Sequence, residues 1–229
     1  MKEQYKNYRL SDIRQKLAQM TIRPLDILVV GATGVGKSKT LNAFFQKEEA
    51  AVGEGADPET AEISHYMLNS MLRLWDTPGL GDGIEKDKAY MRMIEDTLNR
   101  CYGDYGQYGL IDLVLVVLEG GSRDFSIPVK LLRDVIFPNI HEDRVLIAVN
   151  QADLSMRGHH WNHTQGQPDT ILEKYLNAQM QSVQSRLQQD IRNWRIPFPI
   201  YYSALHDYHI YELYDLLIDH IPSGRRIIQ

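Results

Sequence analysis

Apolar positions follow two alternating periods along the chain. Short β-branched runs are typical of buried strands, and stretches with apolar residues spaced by three and four are typical of amphipathic helices, most clearly over 172–194. The predicted strands are 26–30, 63–68, 71–75, 112–118, 144–149 and 198–202, and the predicted helices are 37–47, 86–101, 126–136, 169–194 and 207–220. Asn69-Ser70 predicts a hairpin, and therefore one antiparallel edge strand. The alternation predicts an α/β fold with a mostly parallel six-stranded sheet and helices on both faces.

The N-terminal region predicts an amphipathic helix over residues 5–20, whose apolar face is Leu10, Ile13, Leu17 and Met20. Pro24 separates this helix from the first strand. Two interpretations are open: the helix docks on the domain surface, or it faces a partner or a membrane surface. We therefore predict a helical arm at 1–24, one domain at 25–222, and a tail or the start of a linker at 223–229.

Composition and charge narrow the class of protein. The net charge of −5 over 229 residues gives no basic field, so we predict no clear nucleic-acid site. Cys101 is the single cysteine, which excludes an intrachain disulfide, and we expect it in the core. No apolar run reaches the roughly 18–20 residues of a membrane span. We predict a cytoplasmic protein, with peripheral membrane contact left open.

Residues 31–38 read Gly-Ala-Thr-Gly-Val-Gly-Lys-Ser, which fills every fixed position of the G-x-x-x-x-G-K-[ST] phosphate-binding loop. A strand is predicted before the loop and a helix after it, so phosphate would lie at a helix N-terminus. Lys37 supplies charge to the β- and γ-phosphates, and the Ser38 hydroxyl ligates Mg²⁺. The pattern predicts a three-layer P-loop fold. The predicted phosphate-binding residues are Thr33, Gly34, Val35, Gly36, Lys37, Ser38 and Lys39.

Two further segments predict a metal ion and a γ-phosphate sensor. Asp76-Thr77-Pro78-Gly79 follows an apolar strand, so Asp76 is placed to hold Mg²⁺ through water. The backbone N–H of Gly79 is available to the γ-phosphate, a contact that hydrolysis removes. Thr60, the only threonine of the polar segment 51–61, is the candidate to complete the Mg²⁺ shell. We predict Ser38, Thr60 and Asp76 at the metal, and Lys37, Thr60 and Gly79 as catalytic.

Two loops after the later strands predict base selection. In Asn150-Gln151-Ala152-Asp153, the Asp153 carboxylate can accept both N1–H and the N2 amino group of guanine. Adenine lacks both donors and would leave a buried charge unpaired. Asn150 would bridge the loops, and the N–H of Ala204 would donate to O6. The predicted guanine-binding residues are Asn150, Gln151, Asp153, Ser203, Ala204 and Leu205.

These motifs, in this order over residues 25 to about 221, resemble the Era-like GTPases of the TRAFAC class. The phosphate-binding loop also resembles those of septins and immunity-related GTPases, and segment 150–161 is similar to the bacterial YeeP/YfjP-like group. The resemblance identifies 25–222 as a small GTPase-like, GTP-binding domain. It implies a molecular switch that hydrolyses GTP to GDP and phosphate with Mg²⁺.

Three positions depart from the family pattern. Gln151 replaces a lysine whose stem packs on guanine, so we expect weaker binding with the same base choice. Leu80 occupies the place of a glutamine that orients the attacking water, and Gly34 that of an asparagine that recruits K⁺. We therefore expect slow hydrolysis that is stimulated by a homodimer across the nucleotide face or by an effector protein.

Other interpretations are open at this stage. The chain could be a nucleotide-binding interaction module with negligible hydrolysis, which Leu80 favours, or a P-loop kinase or ATPase, which Asp153 opposes. His159 and His163 would share one face if they lay on a helix, the spacing of a metal site. Gly158 and the polar neighbours favour a loop that contacts solvent or covers the base.

Overall fold

A six-stranded sheet forms the centre of the protein, seen here in a computed structural model that describes residues 7–20, 23–45, 63–122 and 124–228. The strands are β1 (Leu25–Gly31), β2 (Ser64–Asn69), β3 (Leu72–Asp76), β4 (Cys101–Tyr102), β5 (Tyr108–Gly109), β6 (Leu113–Glu119), β7 (Val145–Asn150), β8 (Trp161–Asn162), β9 (Gln167–Pro168) and β10 (Ile200–Tyr201). The sheet order is β10-β7-β6-β1-β3-β2, and β4–β5 and β8–β9 form separate two-stranded ribbons.

Neighbouring strands of the sheet run parallel, except that β2 is antiparallel to β3. The mostly parallel six-stranded sheet and its hairpin are confirmed. The side chain of Asn69 closes the hairpin, because its Oδ1 accepts hydrogen bonds from the N–H groups of Met71 at 2.8 Å and Leu72 at 3.0 Å.

The helices are α1 (Leu10–Leu17), α2 (Lys37–Phe45), α3 (Ile84–Leu98), α4 (Ser126–Leu131), α5 (Phe137–Asn139), α6 (Thr170–Asp190) and α7 (Ile210–Asp219). A π-helical turn, Leu132–Ile136, joins α4 to α5. Short 3₁₀ turns lie at Glu142–Arg144 and within Ala152–Gly158, where non-helical backbone at 155–157 interrupts the second one. Two helices are shorter in the structure than predicted: α6 ends at Asp190 instead of 194, and α7 begins at Ile210 instead of 207. The side-chain amide of Gln188 donates to the carbonyls of Ile191 and Trp194, which lie beyond the end of α6. The backbone of His209 has a left-handed φ of 56°, so α7 begins only after it.

Side chains of the central strands point alternately into two cores. Leu28 and Val30 of β1 join the core beneath α3, α4 and α6, whereas Ile27 and Val29 join the core beneath α1, α2 and α7. This alternation explains why the strands read as continuous apolar runs, since both faces of a covered parallel sheet are buried. The predicted three-layer arrangement is confirmed.

The first helix packs on the last one. Ile13 of α1 is fully buried. Arg9 forms ion pairs with Asp215 and Asp219 of α7, both at 2.7 Å. The Lys16 ammonium donates to the carbonyl of Ile218 at 2.9 Å. In the structure α1 therefore lies against the domain, and the division into arm, domain and tail stays a prediction.

Cys101 corrects one prediction. We expected it in the core, but its side chain is exposed. It lies in the two-stranded ribbon β4–β5, whose strands have two residues each, outside the central sheet. A ribbon of this length has no second layer to bury both faces.

Two fully buried aspartates lie at the amino edge of the sheet, opposite the predicted site. Asp26 accepts hydrogen bonds from the indole N–H of Trp75 at 2.7 Å and from the guanidinium groups of Arg73 and Arg23. A buried charge persists only when it is paired and hydrogen-bonded, and Asp26 meets this condition with side chains from two other segments.

Asp112, beside Asp26, is neutralised by the end of the chain. Its Oδ2 accepts from the backbone N–H of Asp26 at 3.1 Å and from the guanidinium of Arg225. Burial raises the pKa of Asp112, and the charge of Arg225 opposes that shift. Arg225 also donates to the carbonyls of Arg23 and Pro24, so residues near the C-terminus close the amino edge of the sheet.

Replacing Arg225 by alanine tests this closure. We expect Arg225→Ala to lower the free energy of unfolding by about 3–5 kcal/mol, because it leaves the Asp112 carboxylate buried without its cation. Urea denaturation measures the change, and Arg192→Ala, at an exposed position, serves as the control. The double variant Asp112→Asn/Arg225→Met is expected to recover most of the loss. Wild-type stability in the single variant would contradict the assignment.

Candidate functional site

The predicted site segments meet at the carboxyl edge of the sheet. The phosphate-binding loop follows β1, Asp76 ends β3, Asn150 ends β7, and Ser203 follows β10. Parallel strands bring their carboxyl ends to one edge, where open α/β sheets bind ligands. Thr60 lies outside the described residues, so its role stays a prediction.

A cleft of about 650 Å³ opens at this edge. Most of its lining comes from the phosphate-binding loop, from the Asp76–Gly79 loop and from Gln151, as predicted. Three further residues line the cleft that the sequence motifs did not predict: Ser64, Tyr66 and Asp82. Ser64 and Tyr66 belong to β2, and a strand pattern does not tell which side chains overlie a neighbouring loop. Asp82 was recognisable as a carboxylate close behind the Asp-x-x-Gly motif.

The phosphate-binding loop turns tightly around the side chain of its own lysine. Gly34 and Gly36 have φ values of 84° and 89°, a region that favours glycine. The Lys37 ammonium donates to the carbonyls of Gly31 at 3.1 Å and Ala32 at 3.0 Å. Burial lowers the pKa of Lys37, and the charges of two nearby carboxylates oppose that shift. The cation is thus held inside the loop, at the start of α2.

Asp76 has the properties of a ligand to a hard cation. Its Oδ1 is buried and has no hydrogen-bond partner among the described residues. Burial raises the pKa of Asp76, whereas the charge of Lys37 and the hydrogen bond from Ser38 lower it. A carboxylate oxygen and a hydroxyl oxygen are the donor types that Mg²⁺ prefers. The residues present therefore fit Mg²⁺.

The Asp76–Gly79 loop is fastened to the phosphate-binding loop. The N–H of Thr33 donates to the carbonyl of Leu80 at 2.7 Å, and the N–H of Leu80 donates to Gly31 at 3.3 Å. A Cβ added at Gly79 would lie 2.6 Å from the Cα of Thr33. The Leu80 side chain is fully buried in the core, so it does not face the cleft.

Asn150 connects three loops. Its amide nitrogen donates to the carbonyl of Val35 at 2.9 Å, and its amide oxygen accepts from the backbone N–H of Ala204 at 3.0 Å. That N–H, predicted to donate to guanine, therefore has a protein partner here. Gln151 donates to the carbonyl of Gly34 at 2.8 Å, which places it beside the phosphate-binding loop.

Asp153 is buried behind these loops. Its side chain is only 5% exposed, and its Oδ1 accepts a hydrogen bond from the Ser203 hydroxyl at 2.6 Å. The structure thus brings together the predicted Asp153 and Ser203, while Leu205 points to solvent with 62% exposure. His206, which no sequence motif predicted, also lies here, with its Nε2 3.9 Å from Asp153 Oδ2. Its only signal was its place directly after the Ser203–Leu205 motif.

The histidine-rich segment forms a hairpin. Trp161–Asn162 and Gln167–Pro168 pair as β8 and β9, so His159 and His163 do not share a helix face. Within the described ranges, no group of three or more His, Cys, Asp or Glu side chains is arranged to hold a metal ion. Trp161 packs instead against the rings of His206 at 5.2 Å and Tyr208 at 5.4 Å.

Comparison with known proteins shows which family this chain belongs to. A family model described as a 50S ribosome-binding GTPase matches residues 26–151, more than half of the chain. The chain belongs to this GTPase family. Proteins of the family bind and hydrolyse GTP, usually with Mg²⁺, so the Era-like resemblance is confirmed at the level of the family and the P-loop fold.

Two curated relatives illustrate the relationship. The uncharacterized protein YkfA from Escherichia coli K12 is 28% identical over 142 residues, which cover 61% of this chain and 45% of YkfA. Septin-8 from Rattus norvegicus is 36% identical over 89 residues, which cover 36% of this GTPase chain and 20% of the septin. The GTPase chain therefore spans less than half the length of these relatives.

Two solved structures share the fold. Toc33 from Arabidopsis thaliana, in complex with GDP and Mg²⁺, superposes with a TM-score of 0.63 at 17% identity over 98% of this chain and 95% of Toc33. Era, in complex with MgGDPNP and nucleotides of 16S ribosomal RNA, gives a TM-score of 0.58 at 14% identity over 90% of this chain and 60% of Era. Among the described helices of the GTPase, none has the length and apolar character needed to cross a bilayer.

Adding a methyl group at Gly79 tests the contact between the two loops. We expect Gly79→Ala to weaken binding of a non-hydrolysable GTP analogue about tenfold, since the overpacking cost of about 1–3 kcal/mol forces the Asp76–Gly79 loop off Thr33. GDP has no γ-phosphate for that loop to contact, so its affinity is expected to fall less. Equilibrium titration with both nucleotides measures the difference.

The control for this prediction is Gly121→Ala. The added Cβ there would lie 3.9 Å from Glu119, an ordinary contact, so both affinities are expected to stay at the wild-type value. Equal losses of GTP-analogue and GDP affinity in Gly79→Ala would contradict a specific role in reading the γ-phosphate.

Proposed function

We propose that this chain is a GTP-binding molecular switch that hydrolyses GTP to GDP and phosphate with Mg²⁺. The observation that carries the proposal is the convergence of three chemistries at one sheet edge. A loop suited to phosphate contains Lys37, and the buried carboxylate of Asp153 is suited to guanine. The buried Asp76 oxygen, which has no hydrogen-bond partner among the described residues, is suited to a cation. Membership of the GTPase family supports the same assignment.

The phosphate-binding loop would hold the nucleotide through its backbone N–H groups from Gly34 to Lys39, with Thr33 beside them, whose own N–H donates to the carbonyl of Leu80. The Lys37 ammonium exchanges its two carbonyl partners for oxygens of the β- and γ-phosphates. Ser38 and Thr60 would hold Mg²⁺ directly, and Asp76 would hold it through water. The metal, when bound, neutralises negative charge on the β- and γ-phosphate oxygens.

Base selection would rest on Asp153, which accepts hydrogen bonds from N1–H and N2 of guanine. Asn150 keeps the surrounding loops together, and the Ala204 N–H, which donates to Asn150 Oδ1 in the structure, would share its hydrogen with O6 when the base is present. Ser203 supports Asp153, Gln151 covers one face of the base, and Leu205 lies at the rim. Adenine lacks both donors for Asp153, which makes the site selective.

Hydrolysis requires water to attack the γ-phosphorus while the bond to the β–γ bridging oxygen breaks and GDP leaves with the electron pair. Catalysis is then mainly electrostatic, through Lys37, the N–H of Gly79 and the Mg²⁺ ligands including Thr60. Leu80 is buried in the core and orients no water. We therefore expect slow turnover alone and faster turnover when a second copy or an effector protein completes the site.

The structural neighbour Toc33 supports the dimer form of this proposal. One of its solved structures is described as a dimerization-deficient mutant, and it superposes with a TM-score of 0.62 over 96% of this chain. We propose a homodimer across the nucleotide face, and a cytoplasmic location where GTP and Mg²⁺ are supplied. Peripheral membrane contact is compatible with this switch.

Turnover measured against protein concentration tests the proposal. We expect GTP turnover per molecule to rise with concentration, because mass action increases the dimer fraction. Lys37→Ala is expected to lower turnover at least about a hundredfold, through loss of charge stabilisation at the phosphates. Lys88→Ala, at an exposed lysine paired with Glu85, is the matched control and keeps the wild-type rate.

A second candidate function is a nucleotide-binding interaction module with negligible hydrolysis. The buried side chain of Leu80 favours it, since no group of that residue reaches the cleft. The same assay separates the two functions. GTP binding without turnover at any protein concentration would reject the hydrolytic switch and leave the interaction module.

A further inference from the structure

We propose that His206 is a positioning residue for base selection, which holds the Asp153 carboxylate in the orientation that reads the N2 amino group of guanine. The inference rests on the proposed function in one respect, namely that Asp153 reads the base. It adds a residue that lies outside the family motifs and that the linear sequence did not single out.

The two oxygens of Asp153 have different partners. Oδ1 accepts the Ser203 hydroxyl at 2.6 Å, and Oδ2 faces His206 Nε2 at 3.9 Å. The side chains of Asp153 and His206 are only 5% and 20% exposed, so solvent contributes little to orienting either group. A single hydrogen bond to Oδ1 leaves rotation of the carboxylate about Cβ–Cγ open. His206 Nε2 lies beyond hydrogen-bond distance of Oδ2 but within ion-pair distance. When Nε2 carries a proton, its positive hydrogen attracts Oδ2 and restricts that rotation.

His206 is itself held by an aromatic frame. Its ring packs at 5.2 Å against Trp161, with an interplanar angle of 42°, and edge-on at 5.9 Å against His163. Trp161 is 6% exposed and meets Tyr208 at 5.4 Å in a T-shaped contact. The β8–β9 hairpin, which the sequence analysis could explain only as a loop, therefore fixes the imidazole next to Asp153.

This placement matters most for a base that donates twice. Guanine presents N1–H and an N2 amino group to one carboxylate, so both carboxylate oxygens must point correctly at the same time. Hypoxanthine, the base of IDP, lacks the N2 amino group and makes a single such hydrogen bond. Losing the restraint on Oδ2 is therefore expected to reduce GDP affinity more than IDP affinity.

Calorimetric titration of the full chain with GDP and IDP tests the proposal. His206→Phe keeps a ring in the aromatic frame but removes the ring nitrogen that faces Oδ2. We expect it to weaken GDP binding about tenfold and IDP binding less than about threefold, so that the GDP-to-IDP affinity ratio falls. His206→Gln keeps a donor and is expected to retain most of the wild-type ratio, and His206→Ala is expected to behave like the Phe variant.

The matched control is His209→Ala. His209 lies in the same loop, but its ring contacts the carbonyl of Tyr201 at 3.0 Å and stacks on Tyr208. Its GDP-to-IDP ratio is expected to equal that of the wild type.

Two outcomes would overturn the inference. An unchanged GDP-to-IDP ratio in folded His206→Phe would do so, as would equal losses of GDP and IDP affinity, which indicate a structural role only. If His206→Ala fails to fold, the Phe and Gln variants still decide. Failure of the wild-type chain to bind either nucleotide is a separate result, which would reject the proposed function and this inference with it.

Discussion

One amide side chain holds the site loops in a single arrangement. Asn150 ends β7, and its two polar atoms join the carbonyl of Val35 in the phosphate-binding loop to the N–H of Ala204 after β10. The amide nitrogen passes so close to Gly36 that a Cβ there would collide with it. Gly36 is therefore required for this bridge as well as for the turn around phosphate, and the two functions constrain the same position.

The opposite edge of the sheet is fixed by charge. Asp26 and Asp112 are fully buried near the starts of their strands, and each has a guanidinium partner from a distant part of the chain, Arg73 on β3 for Asp26 and Arg225 near the C-terminus for Asp112. Neutralising two buried carboxylates ties these distant segments to the sheet. The carboxyl edge carries the loops with left-handed glycines and a buried lysine, so the two edges of the sheet are fixed by different interactions.

The sequence predicted what local patterns encode. Apolar runs predicted the sheet because both of its faces are covered, and the Asn69 turn predicted the antiparallel edge. Contacts between distant segments were not predictable: Arg225 neutralises Asp112 from 113 positions away, and Trp161 reaches His206 only because a hairpin forms. Cys101 was placed in the core on residue type alone, which ignores that its ribbon is too small to bury it.

The most direct measurement is calorimetric titration of the full chain with GDP and with ADP in the presence of Mg²⁺. The buried Asp153 carboxylate, already bonded to Ser203, predicts GDP binding at least about a hundredfold tighter than ADP binding, because adenine leaves that charge without donors. Equal affinities for GDP and ADP, or tighter binding of ADP, would contradict a guanine site at this sheet edge.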